Sequence, residues 1–217
     1  GKYCGTLVIE DFEMLELKYE IDILIGTGRY ADAQIHLKQL KKTLDCNKKM
    51  NRMAVEIYQI MIDIGDGKIS TESAYEQLRI TLEDSLLLKS GKVHRVPFYN
   101  ELLALNVMCS CLKKMTRKKE ANLIYKEIIK TVEESKIDEK YQNVILSLIL
   151  ANANLHDTDI NRCNRGISYE LSCGKGKMLY MHFASQLGLL VDKKEEQKIA
   201  YIAYYLSDLF FRGTNRQ

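Results

Sequence analysis

The chain has 217 residues, and its 32 lysines and arginines against 29 aspartates and glutamates give a formal net charge of +3. Hydrophobic residues make up 46% and charged residues 28%, a balance typical of a globular protein that excludes a disordered or collagen-like chain. There is a single proline and no tryptophan, and so few obligatory helix breaks favour an all-α fold.

Helical spacing of apolar residues predicts a first pair of antiparallel helices between Asp11 and Leu44. The first helix carries one apolar stripe, formed by Leu15, Leu17, Ile21, Leu24 and Ile25. The segment Gly26–Arg29 ends this helix, because glycine supplies the left-handed conformation that caps a helix. The spacing resumes at Tyr30, and the small Ala33 would allow the two backbones to approach closely.

The same pattern predicts four further pairs of helices, at intervals of roughly 35–45 residues that are typical of helical-hairpin solenoids. The second pair is Met50–Ile64 with a helix N-capped by Ser70, and the third is Phe98–Met115 with Lys118–Glu134. The fourth is Asp138–Asn154 with a helix from Asp157 or Asp159 to Leu171, and the fifth is Lys177–Leu190 with Glu195–Phe211. Pro97 is expected in a first helical turn, where proline is tolerated. No segment shows the sustained alternation of a strand. Without an interior linker, we expect one domain over residues 1–217.

The first pair resembles a tetratricopeptide (TPR) repeat. Its Gly28-Arg29-Tyr30-Ala31-Asp32-Ala33 is similar to the Gly-Asx-Tyr-x-x-Ala turn of that family. The later pairs depart from the pattern, with Thr116 for the turn glycine, Cys163 for the small alanine and Glu196 for another alanine. The resemblance implies an all-α, right-handed TPR-like superhelix of about ten helices in five helical hairpins.

The order of four segments resembles a more specific group. They are Gly67–Thr81, Tyr99–Asn106, Asn164–Tyr169 and Ala200–Leu206. Together they are similar to the C-terminal region of Firmicutes transcription regulators of the RRNPP type, in which an XRE-class helix-turn-helix reads DNA and a TPR-like array binds a short signalling peptide. No DNA-binding helix-turn-helix is recognisable in this chain. The resemblance therefore implies the sensor half, which would meet DNA only through an attached helix-turn-helix absent here.

A peptide would lie on the concave face, which the first helix of each pair lines in stacked hairpins. Asparagine and glutamine offer both a donor and an acceptor to a peptide backbone, and RRNPP-type receptors are similar in using inward asparagines. The candidate peptide-binding residues are Asn106 and Asn152 first, then Gln59, Ser110, Lys113, Asn100 and Tyr99. The equivalent stripes carry Lys18 and Asp22 in the first pair and Met181 and Ser185 in the fifth. The alternative is that all these residues form ordinary solvated faces.

Other motifs indicate no chemistry. Gly174–Lys177 lacks the spacing of a phosphate-binding loop, and Cys109-x-Cys111 lacks the second pair of a zinc site. The four histidines are scattered and no paired carboxylates share a helical face. We therefore expect no cofactor, no metal site and no enzyme activity. The basic cluster Lys113–Lys119 is interpreted as a solvated turn, and the alternative is a contact with an acidic partner or DNA.

Composition also bears on the compartment. No apolar run reaches about 18 residues, and the N-terminal residues do not form a signal peptide. The six cysteines lie in or beside helical patterns, so we expect reduced thiols rather than the disulfides of a small secreted domain. The net charge is too small for direct binding of nucleic acid. These features predict a cytoplasmic protein that does not contact membranes.

The sequence thus favours a peptide-responsive sensor domain of a bacterial transcription regulator, with a short peptide or a partner-protein segment in its groove. The alternative is a generic TPR adaptor that docks a partner protein and has no link to DNA. The C-terminal helix, which carries Tyr201, Tyr204, Tyr205, Leu209, Phe210 and Phe211, is apolar on more than one side. It either caps the array or forms the surface of a homodimer.

Overall fold

The structure is a computed structural model that describes residues 12–89, 92–154, 158–173, 178–190 and 192–207, with side chains from residue 17 onward. Within these ranges it contains ten α-helices and two short strands. They are α1 (Phe12–Gly26), α2 (Tyr30–Thr43), α3 (Lys49–Gly65), α4 (Thr71–Asp84), β1 (Leu88–Lys89), β2 (Lys92–Val93), α5 (Tyr99–Lys114), α6 (Lys118–Glu133), α7 (Glu139–Asn154), α8 (Ile160–Ser172), α9 (Leu179–Leu189) and α10 (Lys194–Ser207). The prediction of an all-α fold with about ten helices is confirmed.

The chain divides into two compact units, Gly1–Ile124 and Tyr125–Gln217, and the division falls inside α6. The expectation of one domain over residues 1–217 stays a prediction, as does the handedness of a superhelix.

In the first unit, consecutive helices pack against each other from α1 to α5, and α3 also contacts α1 and α5. Apolar stripes at helical spacing form the core, whose fully buried members include Ile21, Ala33, Leu37, Leu40 and Ile62. Ala33 has no exposed surface, and it lies where the sequence predicts close approach of α1 and α2. Cys109 of α5 contacts the start of α6, with its Sγ 3.9 Å from the carbonyl oxygen of Ala121.

In the second unit, α7 packs on α8, α8 on α9 and α9 on α10, while α7 also contacts α9. The buried Cys163 of α8 occupies the small-residue position of its pair. Gly166, one helical turn further along α8, faces the ring of His182 in α9. A Cβ atom at Gly166 would lie 2.0 Å from His182 Cε1, so glycine is required there for the two helices to approach.

Caps and turns follow the sequence closely. The side-chain oxygen of Ser70 accepts a hydrogen bond from the N–H of Ser73 at 3.1 Å, and Asp159 accepts one from the N–H of Arg162 at 2.7 Å. Gly28 adopts a φ of +76° after α1, as predicted for a left-handed cap. Thr116 adopts the same conformation with a φ of +64°, so the turn after α5 keeps its geometry although threonine replaces glycine.

Two expectations are wrong in detail. Strands β1 and β2 form an antiparallel ribbon that pairs Leu88 with Val93 and Lys89 with Lys92; two residues per strand are too few to produce a visible alternation. Pro97 precedes the N-cap Phe98 instead of lying in the first turn of α5. Predictions for residues 174–177, Asp157 and residues 208–211 lie outside the described residues.

An ion pair holds the connection between α4 and α5. The guanidinium of Arg95 binds both carboxylate oxygens of the buried Glu101, at 2.5 and 2.8 Å, and also donates to the carbonyl oxygen of Ser85 at 2.9 Å. Glu101 in turn accepts a hydrogen bond from the N–H of Phe98 at 2.8 Å. A carboxylate buried in this way needs such partners to offset its desolvation.

Candidate functional site

A polar cluster joins the first helices α1, α3 and α5 of the first unit. The hydroxyl of Tyr58 donates to Asp22 Oδ1 at 2.8 Å, and Lys18 Nζ lies 3.0 Å from Asp22 Oδ2. The same ammonium lies 5.2 Å from the ring centre of Tyr99, a cation–π distance. Burial raises the pKa of Tyr58 far above its usual value, and the negative charge of Asp22 adds to the rise.

This cluster brings together Lys18, Asp22 and Tyr99, which the sequence assigned to the groove, and adds Tyr58. The helical spacing of α3 assigns Tyr58 only an apolar role, because its ring belongs to the buried stripe of that helix. The side chain in fact has an apolar body and a polar tip, which is a common use of a buried tyrosine.

Four of the predicted site residues lie along one face of α5. Tyr99, Asn106, Ser110 and Lys113 follow each other at spacings of seven, four and three, which places them on one helical face. Asn106 is only 6% exposed, and among the described residues its buried Oδ1 accepts no hydrogen bond. Lys113 is buried as well, whereas Tyr99 and Ser110 are half-buried.

Asn100, another predicted site residue, is 1% exposed and directly follows Tyr99 at the start of α5. Because adjacent helical residues point in different directions, it does not share the face of Asn106.

Gln59 lies against α2 and α4, the second helices of their pairs. Its side-chain amide exchanges two hydrogen bonds with that of Gln34 in α2, at 3.0 and 2.7 Å, and also donates to Asp63 at 3.0 Å. It lines a shallow cavity with Gln77 and Ile80 of α4. The structure thus commits the amide of Gln59 to the protein's own contacts and does not place it in the α5 face.

The two asparagines near the end of α7 differ. The amide nitrogen of the half-buried Asn152 donates to the carbonyl oxygen of Leu148 in its own helix at 2.8 Å. Asn154 is 1% exposed. Its Oδ1 accepts a hydrogen bond from the N–H of Asp159 at 3.3 Å, and its buried Nδ2 finds no acceptor among the described residues. Asn154 is not among the residues predicted from the sequence, because the choice of Asn152 assumes which side of α7 faces the groove.

A cavity of about 500 Å³ opens beside Asn154 in the second unit. The described residues that line it are uncharged and come mainly from α9; they are Asn154, Thr158, Tyr180, Met181, Ala184, Ser185, Gly188 and Tyr204. Met181 and Ser185 are the two residues that the sequence placed on the groove stripe of the fifth pair. The structure therefore gives that stripe a concave surface.

A buried serine–histidine pair lies between α7 and α9. Ser147 Oγ is 3.1 Å from His182 Nε2, and neither side chain is exposed. Burial lowers the pKa of His182 to about 4, against the opposing effect of a hydrogen bond with the backbone of Ser147. The imidazole is therefore neutral at physiological pH, and no substrate can reach the serine hydroxyl.

The described residues bring together no group of three or more His, Cys, Asp or Glu side chains that could hold a metal ion. The cysteines among them, Cys46, Cys109, Cys111, Cys163 and Cys173, form no disulfides. Burial raises the pKa of Cys163 to about 11 and raises that of Cys111 as well, so both remain thiols. No helix in these ranges is long and apolar enough to span a bilayer.

The basic cluster after α5 is partly neutralised within the protein. Arg117 binds the carboxylate of Glu120 through two hydrogen bonds of 2.7 Å, and its guanidinium lies 5.0 Å from the ring centre of Tyr75. The charge of Arg117 is thus offset by that of Glu120 within the protein.

Comparison with known proteins identifies the fold alone. No family model matches the sequence, and no curated protein matches it either. The structure is similar to the crystal structure of Bacillus thuringiensis PlcR in complex with the peptide PapR7 and DNA, with a TM-score of 0.67 and 15% sequence identity. The match covers 96% of this chain and 75% of that chain. The chain therefore has the all-α, TPR-like fold of that regulator.

Proposed function

We propose that this chain is the peptide-binding sensor domain of a bacterial transcription regulator. The observation that carries the proposal is the buried Oδ1 of Asn106, which accepts no hydrogen bond among the described residues. The similarity to PlcR, which was crystallised with a peptide and DNA, supports it. Because one fold can serve many functions, the site carries the proposal and the fold supports it.

A buried acceptor without a donor destabilises a protein by about 1–3 kcal/mol. A main-chain N–H of a bound peptide would satisfy Asn106 Oδ1 and remove this penalty. Ser110 and Tyr99 on the same face of α5, and Lys113 at its end, would add contacts that do not depend on the peptide's sequence. In the second unit we assign the same role to Asn152, whose Oδ1 takes no part in the hydrogen bond to Leu148. Asn100 and Gln59 would not contact the peptide, and would instead hold their own helices, α5 and α3, in place.

In this proposal the chain catalyses no reaction. A peptide that binds one arrangement of the helices more tightly than another shifts their populations, and an attached DNA-binding domain would respond to that shift. A peptide with equal affinity for both arrangements would change nothing. Regulation therefore requires that the contacts of Asn106 differ between the two states.

The test begins with the chain purified from its native host and mass spectrometry of small molecules released on denaturation. We expect a short oligopeptide. Isothermal titration with the synthetic form of that peptide should then show that Asn106→Ala weakens binding about tenfold, the equivalent of one buried hydrogen bond of about 1.4 kcal/mol. Adding Asn152→Ala should weaken it further.

Asn161→Ala is the matched control, because Asn161 is an exposed asparagine on the second helix α8. It should bind the peptide as the unmodified chain does. Recovery of no peptide, or an unchanged affinity of the Asn106→Ala, Asn152→Ala double variant, would refute the proposal.

A TPR adaptor is the second candidate, and the surface of α10 favours it. Five large apolar side chains of this helix are substantially exposed, from 45% at Leu206 to 69% at Ile199, and the others are Tyr201, Ile202 and Tyr205. Such a patch is typical of a protein–protein interface, including that of a homodimer. An adaptor would capture a folded partner and yield no oligopeptide in the mass spectrum.

A further inference from the structure

We infer that the cavity along α9 binds one large apolar, uncharged residue of a peptide, and that Asn154 Nδ2 donates to the main-chain carbonyl oxygen of that residue. The inference rests on the proposed function and adds a specificity site to it. The cavity measures about 500 Å³, within the range of about 300–1,000 Å³ that is usual for small-ligand pockets. It thus has room for one side chain together with its flanking amides.

The walls of the cavity indicate what kind of side chain it takes. Tyr180 and Tyr204 supply aromatic surface, and Met181 and Ala184 supply aliphatic surface. A methionine side chain adapts its shape to the group that it contacts, and aromatic rings add favourable contacts with an apolar or aromatic guest. None of the described lining residues is charged, so a lysine or glutamate side chain would lose hydration without gaining a counter-charge from them.

Asn154 gives the cavity a polar anchor of fixed orientation. Its Oδ1 is held by the N–H of Asp159 at 3.3 Å, which leaves the amide nitrogen as the group that needs a partner. That nitrogen is buried and donates to no described residue. A buried donor of this kind calls for an acceptor from the ligand, and a peptide carbonyl oxygen is one.

Two hydroxyls at the cavity complement this donor. Thr158 Oγ1 donates its proton to the carbonyl oxygen of Asn154 at 3.1 Å, and Ser185 Oγ donates to that of Met181 at 2.9 Å. Because each proton is used inside the protein, each hydroxyl presents lone pairs and acts as an acceptor. One donor beside two acceptors suits the main chain of a peptide residue. Its carbonyl oxygen can accept from the donor, and the N–H groups of its two flanking amides can donate to the acceptors.

Gly188 provides the room for this residue. A Cβ atom at Gly188 would meet nothing within 4 Å, although glycine within a helix destabilises it by about 1 kcal/mol relative to alanine. Gly166 is glycine because His182 touches it, but no neighbour requires glycine at position 188. Gly188 lines the cavity, so a larger side chain at this position would take up part of its space.

The experiment uses the full chain, labelled on its methionine and alanine methyl groups, and N-acetyl-L-phenylalaninamide as the probe. This molecule carries one apolar side chain between two amides and no charge. We expect saturable shifts of the methyl resonances of Met181 and Ala184, with a millimolar dissociation constant as befits so small a ligand. The N-acetyl α-amide of glutamate, which is negatively charged at pH 7, should cause no saturable shift.

Two variants locate the binding. Gly188→Phe should abolish the shifts by filling the cavity, while Leu189→Phe places the same ring one residue away at an exposed position and should leave them intact. Asn154→Leu should weaken binding about tenfold through loss of the donor. Methyl resonances outside the cavity that keep their positions show that each variant is folded. If Gly188→Phe does not fold, Asn154→Leu still tests the cavity.

Absence of saturable shifts at Met181 and Ala184, or equal binding by the glutamate derivative or by Gly188→Phe, would overturn the inference. The probe requires neither the natural peptide nor DNA. If the probe binds but no oligopeptide copurifies, the proposed function fails and the cavity remains a site for apolar residues. If a peptide copurifies but the probe does not bind, only the specificity site fails.

Discussion

Corresponding contacts in the two units bury polar groups in opposite ways. Between α1 and α3, the first helices of neighbouring pairs, Tyr58 donates to the carboxylate of Asp22. Between α7 and α9, the corresponding helices of the second unit, Ser147 meets a neutral His182. The first contact depends on the negative charge of the Asp22 carboxylate, and the second depends on His182 remaining unprotonated. The same helical architecture therefore gives its two units different sensitivities to pH and to substitution.

The largest expected effect comes from glycines that face an aromatic ring in each unit. A Cβ at Gly166 would lie 2.0 Å from the fully buried His182 ring, so Gly166→Ala should lower the free energy of unfolding by about 3 kcal/mol, the upper end for overpacking. A Cβ at Gly65 would lie 2.2 Å from Tyr30, but that ring is only half-buried and can turn outward. Urea unfolding should therefore show a smaller loss for Gly65→Ala, and equal losses would contradict this distinction.

Acid should destabilise the α7–α9 contact. The pKa of His182 is lowered to about 4 in the folded protein, against about 6.5 when unfolded. The unfolded state therefore binds the extra proton first, and stability falls as the pH drops from about 6.5 to 4, by about 3 kcal/mol in total. Urea unfolding across this window should show the loss. In the variant His182→Gln, the free energy of unfolding should depend less steeply on pH, because the contribution of His182 is removed. An equal slope in that variant would assign the effect to other groups.

High pH should destabilise the α1–α3 contact, where the group that titrates is the hydroxyl of Tyr58. Tyr58→Phe deletes a hydrogen bond to a charged group and should lower the free energy of unfolding by about 2 kcal/mol. Because the pKa of Tyr58 is raised in the folded protein, its stabilising contribution disappears as the pH rises above about 10. A double-mutant cycle with Asp22→Asn measures the pair directly, and an interaction energy near zero would show that the hydroxyl and the carboxylate do not cooperate.

The smallest expected effect lies at the turn after α5. Thr116 holds a left-handed backbone conformation that costs a β-branched residue about 1–2 kcal/mol. Thr116→Gly relieves this strain, and after the larger entropy loss of glycine it should stabilise the protein by about 0.5 kcal/mol. Thermal unfolding should show a small rise in Tm. Gly28→Thr, the reverse change at the first turn, should lower Tm by a comparable or larger amount.

The sequence was sufficient for features that depend on local periodicity. Helical stripes and capping residues such as Ser70 and Asp159 act within one turn of chain, so their outcome does not depend on distant packing. Thr116 shows the limit of motif matching, because the turn after α5 adopts the glycine conformation without a glycine. The ribbon of β1 and β2 was missed since its hydrogen bonds join so few residues.

The site could be predicted only in part. The face of α5 from Tyr99 to Lys113 follows from spacing alone, and the structure shows Asn106 buried there. The choice between Asn152 and Asn154 does not follow from spacing, because residues two apart on a helix point to different sides. The packing of α7 against α8 and α9, and the connection to α8 in which the N–H of Asp159 donates to Asn154, decide which of them is buried. Likewise, nothing local predicts that Gln59 pairs with Gln34, which lies 25 positions away in the chain.

The burial of the cysteines has a practical consequence for measuring ligand binding. The chain contains no tryptophan, so it lacks the strongest intrinsic fluorophore. Cys109, Cys111, Cys163 and Cys173 are buried, whereas Cys46 is half-buried in the connection between α2 and α3. The sixth cysteine of the sequence is Cys4. Once it is replaced by serine, a maleimide dye should attach selectively to Cys46 and provide an optical reporter in the first unit.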